Sequence, residues 1–132
     1  MKTTTIKQRV MLPGSPHDVF ELLMDEKKHA EFTGGKAKIS RDIRGAFSVF
    51  DGWATGVTMN LIADKKIVQT WRGADWPKDT FSKVTFTLST AKHGSTKLEF
   101  LQTDVPAKFA NDVAQGWRDY YWEPMKEALA GS

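Results

Sequence analysis

The stretch from Pro106 to Gly131, PAKFANDVAQGWRDYYWEPMKEALAG, decides how the rest of the chain is read. Phe109, Val113, Trp117, Tyr121 and Met125 recur every four residues, and Ala114, Ala128 and Leu129 widen the stripe. Lys108, Asp112, Arg118, Asp119, Lys126 and Glu127 mostly fall elsewhere around the axis. This spacing predicts a long amphipathic helix whose broad aromatic face must be covered. Pro124 has no amide to return to Tyr120 and is expected to bend that helix. Gly131 is expected to end it.

The cover has to come from upstream, where the pattern is mainly of strands. Thr3 to Leu12 reads as a first strand, free of breakers until Pro13. Ser15 and Pro16 then start a helix, the serine as cap and the proline where an amide has no partner. Val19, Phe20, Leu22, Leu23 and Met24 give that helix an apolar side. Asp25 to Phe32 predicts a second short helix closed by Gly34-Gly35. Strands follow at Lys36–Ser40, Ala46–Phe50, Gly56–Ile62, Lys66–Gly73, Phe81–Thr90 and Ser95–Thr103. Their apolar residues alternate, as Val84, Phe86 and Leu88 do against Lys83, Thr85 and Thr87. That is the pattern of an antiparallel sheet with one dry face. In the Gly56–Ile62 strand the same parity puts Val57, Met59 and Leu61 together, opposite Thr58 and Asn60. The class is α+β: a curved antiparallel sheet of about six or seven strands, with the first strand joining the later ones, wrapped around the long C-terminal helix.

The 132 residues carry 40% hydrophobic and 27% charged side chains, with no cysteine. Disulfides, thiol catalysis and cysteine-bound metal are therefore absent. One domain over residues 1–132 is the expectation at this length. The net charge is +3, and its densest basic stretch, Lys36, Lys38, Arg41 and Arg44, is broken by Asp42. This is a solvated edge, not the clustered stripe of a nucleic-acid binder. The first seven residues lack the apolar core of a signal peptide, and no run approaches the roughly 20 apolar residues of a membrane span. The expectation is a soluble cytoplasmic protein, monomeric or weakly dimeric.

Catalytic signals are sparse. His17, His29 and His93 fall near a helix start, in a charged helix and in a turn, and all three read as solvated. No pair has metal-ligand spacing, and no phosphate loop or nucleophile motif is present. The orientation of Asp51 stays open, because its strand has apolar residues on both sides. Two amides lie on inward faces: Gln69 shares the parity of Ile67 and Trp71, and Gln102 that of Leu98 and Phe100. Each either meets backbone or water near a sheet end or orients a ligand in a cavity. Trp53 and Trp76-Pro77 lie in loops, as partner anchors or, for Trp76, as a residue folding back to close the sheet's end. Arg72 and Arg118 are placed to pair with neighbours or with a partner.

One ordered series of motifs is specific. Thr70-Trp71-Arg72, Trp76-Pro77, Ser82 to Leu88, Gly94 to Leu98, Val105-Pro106 and Gly116-Trp117-Arg118-Asp119-Tyr120-Tyr121 follow one another. Phe32-Thr33, Arg44-Gly45-Ala46-Phe47 and Asp51-Gly52 precede them. This series resembles the carboxy-terminal domain of the activator of Hsp90 ATPase, within the helix-grip superfamily of START-related and birch-allergen-like folds. The resemblance covers nearly the whole chain and implies a helix-grip fold. The amino-terminal domain that docks on Hsp90 in the eukaryotic co-chaperones opens on an asparagine- and tryptophan-rich motif, which these residues lack.

The superfamily mostly binds apolar ligands between sheet and helix. The expected function is therefore non-catalytic binding of a hydrophobic small molecule in an elongated cavity, without cofactor or metal. The candidate lining is Phe47, Val49, Met59, Leu61, Gln69, Trp71, Val84 and Phe86 with Leu98, Phe100 and Gln102 from the strands. Phe109, Val113, Trp117 and Tyr121 complete it from the helix. The alternative is a regulator of Hsp90 or its bacterial relative, touching it through Trp53, Trp76 and Pro77. A cyclase or hydrolase of the same superfamily is third, and an inward Asp51 would be its hint.

Overall fold

The computed structural model describes residues 2–130, so the helix end expected at Gly131 lies outside the described residues. Seven antiparallel strands form one sheet in the order β1-β7-β6-β5-β4-β3-β2. They are β1 (Thr3–Leu12), β2 (Lys38–Ile39), β3 (Ala46–Val49), β4 (Ala54–Ile62), β5 (Lys66–Gly73), β6 (Ser82–Thr90) and β7 (Thr96–Pro106). The first strand pairs with the last, setting Ile6 opposite Gln102 and Val10 opposite Leu98. Two short helices, α1 (Pro16–Met24) and α2 (Glu26–Thr33), separate β1 from β2. Ser15 Oγ accepts from the Asp18 amide at 3.1 Å and Asp25 Oδ1 from the Lys28 amide at 2.9 Å, so each helix has its own cap. The Lys28 amide holds the Asp25 carboxyl below its usual value.

The long C-terminal helix is built in three pieces: α3 (Ala110–Trp117), a π turn over Arg118–Trp122, and α4 (Glu123–Ala130). A four-residue repeat overshoots one α-helical turn by about 40° per step, so the five steps from Phe109 to Leu129 would carry the stripe to the far side of the axis. The π turn takes up an extra residue, and Trp117, Tyr121, Met125 and Leu129 all remain buried. Pro124 follows directly, where the ladder has already shifted: the Glu123 amide reaches back to Arg118 O. The interruption expected at the proline thus takes the form of a π turn just ahead of it. Trp122, which the four-residue series omits, is buried as well. Its Nε1 donates to Gln8 Oε1 at 2.6 Å, and Gln8 Nε2 donates to Ala114 O at 3.0 Å. One glutamine on β1 therefore fastens two levels of the helix.

The parity expected in β4 is reversed. A bulge lies between Thr58, opposite Gln69, and Asn60, opposite Val68. Met59 is the extra residue: it is 51% exposed, while Thr58 is fully buried on the inner face and Leu61 only half-buried. Gly56, earlier in the strand, faces inward where a Cβ would collide with the Thr70 carbonyl and the Phe47 ring. A bulky side chain there would push β4 off β5. No helix of the described residues is long and apolar enough to cross a membrane.

Candidate ligand pocket

The interior between sheet and helix is nearly solid. Trp117 lies at ring-centroid distances of 4.5 Å from Phe100, 5.8 Å from Phe86 and 4.4 Å from Tyr121. Its Nε1 donates to Gln102 Oε1 at 2.9 Å, Gln102 Nε2 donates to Ser82 Oγ at 2.9 Å, and Ser82 Oγ donates to Trp71 O at 2.8 Å. Gln102 therefore spends its amide on side chains deep in the core, neither at a sheet end nor in a cavity. Gln69 Nε2 donates to Thr58 Oγ1 at 3.3 Å. The void left here, which Gln69, Phe47, Val49 and Phe86 help to line, has a volume of about 20 Å³, room for about one water. Val84, Leu98 and Phe100 are packed core.

His29 also lines that void, against the expectation of a solvated side chain. It is 2% exposed, and its Nε2 shares a 2.9 Å hydrogen bond with the Tyr121 hydroxyl. Phe32 and Tyr121 flank its ring at 5.1 and 5.3 Å. Burial lowers its pKa from 6.5 to about 4 and raises that of the Tyr121 phenol. Its Nδ1 has no partner among the described residues. The charged neighbours Lys27, Lys28 and Glu31 hid this, yet His29 stands three residues before Phe32, on the same face of α2. His17 is exposed and paired with Asp64 at 3.0 Å, and His93 is exposed in its turn. Asp51 is exposed too, its Oδ1 accepting from the Lys36 amide at 3.0 Å. Among the described residues no three histidine or carboxylate side chains gather at metal-binding range.

The real opening is at one end of the grip, where the β3–β4 turn, the β5–β6 loop and the first half of the long helix meet. Its volume is about 230 Å³. The walls are Phe50 and Trp53 from the turn, Trp71 from β5, Asp75 and Trp76 from the loop, and Phe109, Asp112, Val113, Gly116, Trp117, Tyr120 and Tyr121 from the helix. The five expected residues Trp71, Phe109, Val113, Trp117 and Tyr121 meet here. Met59, turned outward by the bulge, and Leu61 do not join them.

The tryptophans interlock around Trp71, whose ring meets Trp53 at 5.7 Å, Trp76 at 5.4 Å and Trp117 at 5.7 Å. Trp76 is 4% exposed and stacks on Phe109 at 6.3 Å, so it closes the end of the grip and is no exposed anchor. Arg72 holds it there by donating from Nη2 to Trp76 O at 2.8 Å and Pro77 O at 3.2 Å, with Nε to Thr80 O at 3.3 Å. Those loop carbonyls take the place of the ion pair considered for Arg72. Trp53 remains 41% exposed and Pro77 is exposed. Trp71 Nε1 and Trp76 Nε1 are buried donors without partners among the described residues.

A family model described as activator of Hsp90 ATPase homolog 1-like protein matches residues 13–130. The chain belongs to this family. It is 30% identical over 130 residues to an activator of 90 kDa heat shock protein ATPase homolog from Dictyostelium discoideum, covering 98% of this chain and 34% of the relative. It is 31% identical over 115 residues to homolog 1 from Homo sapiens, covering 87% and 34%. The chain thus spans about a third of the length of these curated relatives. The crystal structure of an HSP90 activator from Plasmodium falciparum matches with a TM-score of 0.89 at 22% identity, covering 96% of each chain, which supports the helix-grip fold.

On the helix the pocket-lining residues Phe109, Asp112, Val113, Gly116, Trp117, Tyr120 and Tyr121 fall at spacings of three and four. That face was present in the sequence, but a strict four-residue reading passes over Asp112, Gly116 and Tyr120. Outside its own helical turn, a Cβ on Gly116 meets Tyr120 Cδ2 at 3.8 Å, ordinary contact. Gly116→Ala is therefore expected to stabilise the protein by about 0.5–1 kcal/mol, read as a raised urea midpoint at unchanged slope.

Proposed function

We propose that this chain is a non-catalytic helix-grip domain that binds a small, largely apolar molecule at the mouth of the grip, in the cytoplasm. The observation that carries the reading is the pocket of about 230 Å³, walled mainly by aromatic rings. An apolar cavity of roughly 150 Å³ takes a benzene, so this one has room for a single substituted ring or the end of a longer ligand. That is smaller than the elongated cavity expected from the sequence, because Phe86, Phe100, Trp117 and Trp122 fill the deep interior.

Thermal shift and native mass spectrometry against aromatic, sterol and lipid libraries test the reading. Single-ring compounds are expected to raise the melting temperature, while whole sterols are expected to be too large. Gly116→Leu places an isobutyl group in the pocket without touching the core. It is expected to abolish binding while leaving the melting temperature within a few degrees of wild type.

A second reading is supported by family membership and by the printed names of the relatives: contact with an Hsp90-type chaperone. Trp53 and Tyr120, 41% and 59% exposed, stand on the pocket rim where such a partner would touch. The readout is a change in that chaperone's ATPase rate when this chain is added. Loss of that effect in Trp53→Ala and Tyr120→Ala, with the effect retained in Gly116→Leu, whose pocket is filled, would separate the two readings.

A further inference from the structure

The charge of the pocket mouth runs against that of the molecule. The chain is net positive, yet among the described residues the only ionisable side chains lining the pocket besides its tyrosines are two aspartates, Asp75 on the loop and Asp112 on the helix. Both are exposed, and among the described residues neither carboxylate has an ion-pair or hydrogen-bond partner. They share the lining with the rings of Trp53, Trp71, Trp76, Phe109 and Tyr120, and the face of an aromatic ring carries negative charge density. One ring of this set already holds a cation: Lys108 Nζ sits 5.4 Å from the Phe109 centroid.

We propose that the ligand of this pocket is an organic cation, an amine or quaternary ammonium on a single-ring or short apolar body. Aromatic faces attract the cationic head, and the carboxylates of Asp75 and Asp112 hold it at the mouth. An anionic ligand is disfavoured, since it would meet two carboxylates and no basic lining residue. The inference rests on the pocket reading above and adds the sign of the ligand's charge.

Three benzyl probes test it: benzyltrimethylammonium, its neutral isostere neopentylbenzene, and the smaller anion phenylacetate, each titrated while tryptophan fluorescence is followed. The cation is expected to bind at least tenfold more tightly than the neutral probe. Raising the salt to about 1 M should reduce that advantage, because both carboxylates are exposed. The double variant Asp75→Asn, Asp112→Asn, whose sites are on the surface and leave the core intact, should bring cation and neutral probe to within about twofold. If the neutral probe or the anion binds as tightly as the cation, the charge proposal is overturned while the pocket reading stands. If no probe binds saturably, both fail together.

Discussion

Trp117→Ala is expected to destabilise the protein by about 4 kcal/mol or more. Truncating a buried Trp or Phe to alanine typically costs about 3–5 kcal/mol, depending on how far the site collapses. Here collapse is limited, because the cavity would be walled by Trp71, Phe86, Phe100, Tyr121 and Trp122, all held by their own packing. The substitution also removes the donor to Gln102 Oε1, and a buried acceptor left unpaired adds about 1–3 kcal/mol. Domains of this size have about 5–15 kcal/mol in hand, so the variant should lie near the edge of folding. Urea denaturation followed by circular dichroism measures the change. Trp117→Phe keeps much of the ring but loses the N–H, and should cost about 1–3 kcal/mol. A cost below 1 kcal/mol for Trp117→Ala would mean that helix and sheet do not meet at this residue.

The second large effect is on acid stability. Burial holds His29 neutral in the folded protein, with a pKa of about 4 in place of 6.5. Between those values the unfolded chain binds a proton that the folded chain does not, so stability rises with pH across the window. It is fully present above about pH 6.5, declines as the pH falls toward 4, and declines no further on this account below that. The shift corresponds to roughly 3 kcal/mol. Aspartates and glutamates titrate nearby, so the measurement is the difference between wild type and His29→Gln. Glutamine can still hydrogen-bond the Tyr121 hydroxyl but does not titrate. The wild type should lose stability more steeply from pH 6.5 to 4, and the two urea-midpoint curves should run parallel above pH 7. Parallel curves throughout would show that His29 is protonated as readily in the folded state as in the unfolded one.

The strands and helices were largely legible because their signals are local. Lys66–Gly73 is rich in β-branched and aromatic residues and forms β5 at those limits, and Ser15-Pro16 starts α1 as a cap and first-turn proline should. The helix-grip arrangement followed from one helix and one sheet, each with an unpaired apolar face. Less legible were features set by a residue count or by tertiary partners. The β4 bulge at Met59 reverses inside and outside for half a strand, and nothing in the alternation of Val57, Met59 and Leu61 announces it. The π turn re-aims the helix and buries Trp122 beside Tyr121, although Trp122 breaks the four-residue repeat. His29 is drawn inward by Tyr121, 92 residues away in sequence, despite its charged neighbours. The pocket lies at the end of the grip and not along it, because its location depends on Trp76 folding back under the hold of Arg72. The lining aspartates and Gly116 were visible only as neighbours of the aromatic stripe.

The central claim is that this end of the grip is a ligand site. Its most direct test is an amide chemical-shift titration of wild type and Gly116→Leu with single-ring probes, neutral and cationic. The expected result is saturable shifts confined to residues 50–53, 71–76 and 109–121 in the wild type, and none in Gly116→Leu at an unchanged melting temperature. Shifts scattered over the surface, no saturation with any probe, or equal binding by Gly116→Leu would contradict it.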